Sequence, residues 1–158
     1  MLLIGFGNPG RRDDGLGPAL AEAVEKMNLP NLTVDADYQL NVEDAAVIAE
    51  HDVVVFADAD AVGPEPYSFA AVTPKATLSF SSHSVEPEAV MALAYELFKA
   101  DTQGYILGIR GYEFDQFDET LTDKAAGNLA AAIEFFVNLL RKSSFSEAAT
   151  GAGTAELH

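Results

Sequence analysis

The chain has 158 residues, of which 49% are hydrophobic and 22% are charged, a composition typical of one globular domain with its own core. Its formal charge is −16, from 25 acidic and 9 basic residues, which disfavours nucleic acid and anionic membranes as partners because both bind through Lys and Arg. Solubility and a neutral or basic protein partner explain this charge equally well. The absence of cysteine excludes disulfides, thiolate nucleophiles and cysteine-ligated metal centres.

Neither a secretory signal nor a membrane span is predicted. The apolar run Leu2–Ile4 is too short for the core of a signal peptide, and no basic residue precedes it. No apolar run approaches the ~18 residues of a transmembrane helix. We therefore expect a cytoplasmic protein, and we expect it to be a monomer.

Five apolar or alternating stretches predict strands, and four amphipathic stretches predict helices. The predicted strands are Leu2–Gly5, Leu32–Asp37, Val53–Ala57, Tyr67–Val72 and Tyr105–Ile109. The predicted helices begin at Leu16 or Gly17, Val42, Glu86 and Thr122, and they end at Met27, Glu50, Lys99 and Lys142. Asn41 is a predicted N-cap. The third strand is apolar throughout, which predicts a central position, whereas the fourth alternates like an edge strand and leaves antiparallel pairing open.

The alternation β-α-β-α-β over the first 57 residues predicts an α/β fold with a mainly parallel sheet. If the first strand lies between the second and third, the order 2-1-3 creates a switch point, and ligands bind beyond the carboxyl ends of strands at such a point. Residues 1–142 are predicted to form a single domain. Residues 143–158, which are mostly small and polar, are predicted to be a disordered tail.

The glycine-rich turn after the first strand fits a dinucleotide-binding motif only formally. Gly5–Gly10 matches G-x-G-x-x-G, and an acidic residue stands near the end of the second strand. However, Pro9 removes a backbone N–H that a phosphate would need. Asp13 and Asp14 would also repel a pyrophosphate. We therefore expect this turn to present a carboxylate to a cation.

Three residues are candidates for a metal site at the switch point. Asp14 follows the first strand, Asp58 is predicted to end the third, and His83 lies in the loop before the third helix. Two carboxylates and one imidazole suit Zn²⁺, Ni²⁺ or a similar ion with coordination positions left open. His51 ends a helix and His158 ends the chain, so both are weaker candidates. Taken singly, each residue of the trio has a simpler structural explanation, and the hypothesis depends on the strand order.

Several motifs together resemble the nickel–iron hydrogenase maturation endopeptidases. In order they are GFGNPGRRDDGLGPALAEAV, DAD at the end of the second strand, VVVFADAD, SFSSHS and YILGIR. The resemblance extends to about Lys142, and the block G-x-G-N-x-x-x-x-D-[DE]-G-x-G is its most specific part. It implies a three-layer α/β fold, phosphorylase/hydrolase-like, with a twisted, mostly parallel five-stranded sheet and helices on both faces.

The resemblance also implies a hydrolase and its substrate. The expected reaction is removal of a short C-terminal peptide from the nickel-loaded precursor of a hydrogenase large subunit, which is therefore the expected partner. The family's metal-contacting positions fall on Asp14, Asp58 and His83. The metal is expected to be nickel carried by the substrate, and zinc or cadmium are expected to occupy the site in vitro. An aspartate after the second strand matches Asp37, a candidate catalytic base, although the glycine-rich turn of many members is replaced by Tyr38-Gln39-Leu40.

Other functions are left open by the sequence. A non-catalytic, nickel-sensing maturation chaperone would use the same three residues without cutting. Peptidyl-tRNA hydrolases share the GFGNPG opening but would need a histidine and an asparagine where this chain has Asp13-Asp14-Gly15. A nucleotide-binding domain is the remaining alternative. Neither G-x-S-x-G nor H-E-x-x-H is present.

Overall fold

The computed structural model describes residues 1–75, 85–142, 145, 148 and 149. Within these residues, five strands form one sheet: β1 (Leu2–Phe6), β2 (Thr33–Asp37), β3 (Val53–Asp60), β4 (Tyr67–Ala71) and β5 (Gln103–Arg110). The α-helices are α1 (Leu16–Glu25), α2 (Asp44–Ala49), α3 (Pro87–Phe98) and α4 (Asp123–Lys142). A 3₁₀ turn, Arg12–Gly15, precedes α1.

The sheet has the order β2-β1-β3-β5-β4. β1 pairs in parallel with β2 and β3, β3 pairs in parallel with β5, and β4 pairs antiparallel with β5. The predicted order 2-1-3 and the predicted edge position of the fourth strand are therefore confirmed, and its pairing, which the sequence left open, is antiparallel. The predicted end of β3 is wrong: the strand continues to Asp60 because β5 supplies partners as far as Arg110, so Asp58 lies within the strand, opposite Gly108.

Helices cover both faces of the sheet. α1 and α4 pack on one face, against residues such as Leu3 and Val55. α2 and α3 pack on the other face, against residues such as Ile4 and Phe56. Because successive side chains of a strand point to opposite faces, the continuous apolar runs of β1 and β3 fill both layers. The predicted three-layer α/β fold is confirmed.

The N-termini of α4 and α2 differ in whether a side chain caps the helix. Thr122 accepts a hydrogen bond at its Oγ1 from the Ala125 N–H (3.3 Å), as expected of an N-cap. The prediction for Asn41 is wrong, because α2 begins only at Asp44 and Glu43 occupies the cap position without a side-chain cap bond. Here the Asp44 carboxylate instead accepts a hydrogen bond from the Asn41 backbone N–H (2.9 Å).

Three residues of the predicted tail are described, and all three pack against the core between the sheet, α1 and α4: Phe145, Ala148 and Ala149. The Phe145 ring lies 5.9 Å from the ring of Tyr105. The rest of the predicted tail lies outside the described residues, and so does His158. Among the described helices, none combines the length and the apolar character of a bilayer-crossing segment.

Candidate metal centre

Two glycines bring the start of α1 to the carboxyl edge of the sheet. Gly7 has a φ of +142°, and a Cβ at this position would lie 2.1 Å from the carbonyl oxygen of Asp14. A Cβ at Gly17 would lie 2.3 Å from the carbonyl oxygen of Ala57 in β3. Only glycine allows both approaches. The glycine spacing of the first loop therefore sets Asp14 beside the end of β3.

The adjacent aspartates of the 3₁₀ turn have different roles. Asp13 is fully buried and accepts hydrogen bonds of 2.8–3.1 Å from the backbone N–H groups of Tyr112, Glu113 and Thr122 and from the Thr122 hydroxyl. Burial by itself raises the pKa of the Asp13 carboxyl, but these donors stabilise the carboxylate more, and the net pKa is lowered. Asp13 therefore holds the loop between β5 and α4 in place. Because its oxygens are used in these hydrogen bonds, Asp14 is the aspartate of this turn that is available to bind a cation.

Asp14 and Asp58 form a carboxylate pair at the switch point between β1 and β3. Asp14 is partly buried, and its Oδ2 accepts a hydrogen bond from the Asn8 N–H (2.9 Å). Burial, with a smaller contribution from the negative charge of Asp14, raises the pKa of Asp58 to about 7 despite a hydrogen bond from the Ala59 N–H (2.8 Å). A buried carboxylate that faces a second carboxylate is stabilised by a cation, so this donor set fits a divalent metal.

Glu86 is a further carboxylate near this pair, and sequence reasoning missed it. It occupies the N-cap position of α3, and its charge contributes to the raised pKa of Asp58. Glu86 could have been found from the sequence because it lies only three residues after the candidate ligand His83. His83 itself lies outside the described residues. Among the residues that are described, no group of three or more His, Cys, Asp or Glu side chains is arranged to hold a metal ion.

Asp37 lies on the far side of β1 from Asp58. It ends β2 opposite Phe6, so β1 separates it from β3 by two strand spacings, about 10 Å. Its carboxylate accepts hydrogen bonds from the Tyr38 backbone N–H (2.7 Å) and the Asn41 side-chain amide (3.4 Å). A hollow of about 240 Å³ adjoins it, lined by Gly7, Pro9, Pro18, Ala36, Asp37 and Tyr38. The fold therefore brings Asp14 and Asp58 to one edge of the sheet and sets Asp37 two strands from Asp58 along that edge, beside the hollow.

The alternative histidine, His51, lies away from this edge. It follows α2, and burial and the positive amino terminus of Met1 lower its pKa. Met1 precedes β1, so this is the amino edge of the sheet, opposite to Asp58. His51 is therefore not part of the candidate centre.

The fold and the carboxylate pair define an α/β protein with a candidate cation site at its first switch point, and known structures share this fold. Sequence comparison finds no matching family model and no matching curated protein. The chain is similar to the crystal structure of a [NiFe] hydrogenase maturation protease, HycI from Thermococcus kodakarensis KOD1, with a TM-score of 0.69 and 21% identity over 89% of this chain and 91% of that chain.

Two structures from Escherichia coli give the same result. The hydrogenase maturating endopeptidase HybD is similar with a TM-score of 0.63 and 18% identity over 90% of this chain and 93% of that chain. The solution structure of an endopeptidase is similar with a TM-score of 0.65 and 19% identity over 91% of this chain and 94% of that chain. At these identities the likeness shows the fold, which is the fold that the sequence motifs implied.

Proposed function

We propose that this chain is an endopeptidase that removes a short C-terminal peptide from the nickel-loaded precursor of a nickel–iron hydrogenase large subunit and so activates the hydrogenase. The observation that carries the proposal is the pair of partly buried carboxylates, Asp14 and Asp58, at the β1–β3 switch point. The pair lies in a fold shared with proteins named as hydrogenase maturation proteases. The opening motif supports the same assignment.

In this proposal, Asp14, Asp58 and His83 bind the nickel that the precursor carries, so the metal is part of the substrate. Asp58 has a pKa of about 7, so about half of the molecules carry its proton near neutral pH when no cation is near. It gives up that proton when the substrate's metal arrives. Recognition through a carried metal makes cleavage depend on prior metal insertion, so an unloaded precursor is left intact.

Asp37 is proposed as the general base of an aspartic-type hydrolysis. Its carboxylate borders the hollow of about 240 Å³ beside Gly7 and Pro9, where we place the residues next to the scissile bond. A base must lie within hydrogen-bond reach of the water that it activates, directly or through one further water. The precursor's C-terminal segment would therefore cross β1, with its metal held on one side and the scissile bond on the other. We propose that the chain acts in the cytoplasm as a monomer.

A cleavage assay tests this function. The protein is incubated with the large-subunit precursor, with and without nickel, and the mass of the large subunit is followed. We expect a shortened product only from the nickel-loaded precursor. Equal cleavage of both forms would refute recognition through the metal. Binding of the loaded precursor with no loss of mass would favour the nickel-sensing chaperone instead.

Three variants test the ligand assignment in the same assay. Asp58→Asn and His83→Ala are expected to lose cleavage, whereas Asp101→Asn, at an exposed aspartate before β5, is expected to retain it. Asp58→Asn keeps the acceptor for the Ala59 N–H, so its loss of activity would reflect the missing charge. Full activity of His83→Ala would remove His83 from the site.

A further inference from the structure

Three loops that leave the carboxyl ends of strands each present a strongly exposed apolar side chain. Tyr38 follows β2 and is 69% exposed, Val62 follows β3 and is 88% exposed, and Phe117 lies between β5 and α4 and is 93% exposed. We call these three residues the apolar rim. Because β2, β1, β3 and β5 are consecutive in the sheet, the rim borders the edge at which Asp14 and Asp58 lie.

Hydrogen bonds to the first loop hold both neighbours of Phe117, through the backbone of Asp118 and through the side chain of Gln116. The Asp118 N–H donates to the carbonyl oxygen of Gly10 (3.0 Å), and the Asp118 carbonyl oxygen accepts from the Arg12 N–H (2.8 Å). On the other side, the Gln116 side chain accepts from the Arg12 guanidinium (2.8 Å). A ring presented from an ordered backbone loses little conformational entropy on binding, which favours affinity.

Phe117 and Asp14 are presented by the same unit of structure. Arg12 lies two residues before Asp14 and is bonded to both neighbours of Phe117. Asp13, immediately before Asp14, accepts the backbone hydrogen bonds that hold the start of the same loop. A partner bound at Asp14 therefore meets Phe117 in a defined relative position.

The other two rim residues are also presented by turns that a carboxylate stabilises. Asp60 accepts hydrogen bonds at its Oδ1 from the backbone N–H groups of Val62 (3.0 Å) and Gly63 (2.9 Å). Asp37 accepts one at its Oδ1 from the Tyr38 N–H (2.7 Å). A single exposed apolar side chain is common on protein surfaces. Three of them on ordered turns around one candidate site indicate a contact surface.

The charge around Phe117 indicates the chemistry of the partner. Residues 111–120 contain four acidic residues and no basic residue: Glu113, Asp115, Asp118 and Glu119. Two of these carboxylates are paired with arginines of the first loop, Asp115 with Arg11 (3.6 Å) and Asp118 with Arg12 (3.8 Å). Four acidic residues against two arginines leave the surroundings of the ring net negative, which is complementary to an apolar pocket bordered by Lys and Arg.

We propose that the apolar rim, with Phe117 as its main anchor, docks against the folded surface of the large-subunit precursor, at an apolar pocket bordered by basic residues near its metal. Buried aromatic side chains dominate the binding energy of many protein interfaces, which favours Phe117 over Val62 as the anchor. This inference rests on the proposed function and adds the surface that recognises the protein part of the substrate. In this arrangement the metal site recognises the nickel, and the apolar rim recognises the protein that carries it.

The test compares Phe117→Ser with Leu97→Ser, a matched control at an exposed apolar residue near the end of α3. Two quantities are measured with the full chain: kcat and KM for cleavage of the nickel-loaded precursor, and Kd for the nickel-free precursor. For Phe117→Ser we expect KM and Kd to rise by roughly 10- to 100-fold, with kcat changed by less than about twofold. Leu97→Ser is expected to match the wild type. Both substitutions are at exposed side chains, and circular dichroism verifies folding.

The outcomes separate the docking surface from the proposed function. Unchanged KM and Kd in Phe117→Ser would overturn the docking surface even if the wild type cleaves the precursor. Weaker binding in Phe117→Ser, with no cleavage by the wild type, would support the surface and refute the peptidase. A wild type that neither binds nor cleaves the precursor would overturn both.

Discussion

Replacing Asp58 with Asn is expected to stabilise the fold while it abolishes function. Asn has nearly the same shape and keeps an acceptor for the Ala59 N–H, so the main change is the loss of a charge. That charge is unfavourable in the folded protein, because burial and the nearby Asp14 raise the pKa of Asp58 from 3.8 to about 7. A functional group that destabilises its own fold is expected at a site built to receive a cation.

The pKa of Asp58 determines the size and the pH range of this effect. The folded-state pKa lies above the unfolded value, so between pH 3.8 and about 7 the unfolded chain is ionised while the folded chain keeps the proton. Stability therefore falls as pH rises through this window. At about 1.36 kcal/mol for each tenfold change in proton affinity, the cost at pH 8 is on the order of 4 kcal/mol. We expect Asp58→Asn to recover about 2–4 kcal/mol of it, since the amide is also partly buried.

Urea unfolding at pH 4 and pH 8 measures this effect. The free energies of unfolding of wild type and Asp58→Asn are expected to be similar at pH 4 and to differ in favour of the variant at pH 8. Asp101→Asn, at an exposed side chain, is the control for removal of any one negative charge from a chain of net charge −16. The reasoning fails if Asp58→Asn is no more stable than Asp101→Asn at pH 8, or if its advantage is the same at both pH values.

Three further predictions follow from neighbouring residues. Asp14→Asn is expected to bring the pKa of Asp58 closer to its ordinary value, because the charge of Asp14 contributes to the shift. The carboxyl chemical shift of Asp58 in an NMR titration measures this pKa, and an unchanged titration would contradict the prediction. Asp13→Asn is expected to lower the free energy of unfolding by about 2–4 kcal/mol at pH 7, because an amide cannot accept at both oxygens from four donors. Since the pKa of Asp13 is lowered, that stabilisation is present above pH ~4 and is lost as pH falls through the folded-state pKa, so urea unfolding at low pH should show a smaller difference. Gly17→Ala is expected to lower the free energy of unfolding by more than about 2 kcal/mol, because its Cβ would lie 2.3 Å from a carbonyl oxygen. Gly127→Ala in α4, with no atom within 4 Å of the added Cβ, is expected to raise it by about 0.5–1 kcal/mol. Equal melting temperatures for these two variants would refute the close approach of α1 to the sheet.

Much of the candidate site could be predicted from local pattern. The apolar runs of β1 and β3 and the glycine spacing of the first loop are short-range features, and each depends on the conformation of only a few neighbouring residues. The parallel order 2-1-3 then brings the residues after β1 and near the end of β3 to one edge. Asp14 and Asp58 could therefore be paired before their geometry was known, although β3 is longer than its apolar run indicates.

By itself, the sequence determined the α/β class, the switch point and the edge of the sheet at which Asp14 and Asp58 lie, because strand and turn patterns are local. Only the tertiary structure decided what each carboxylate does. Asp13 and Asp14 are adjacent in sequence, and they differ because Asp13 meets donors from a loop 99 residues away. The pKa of Asp58 is likewise set by burial and by charges on other elements, Asp14 and Glu86. Burial and long-range contacts are properties of the packed chain, and no periodicity or motif encodes them.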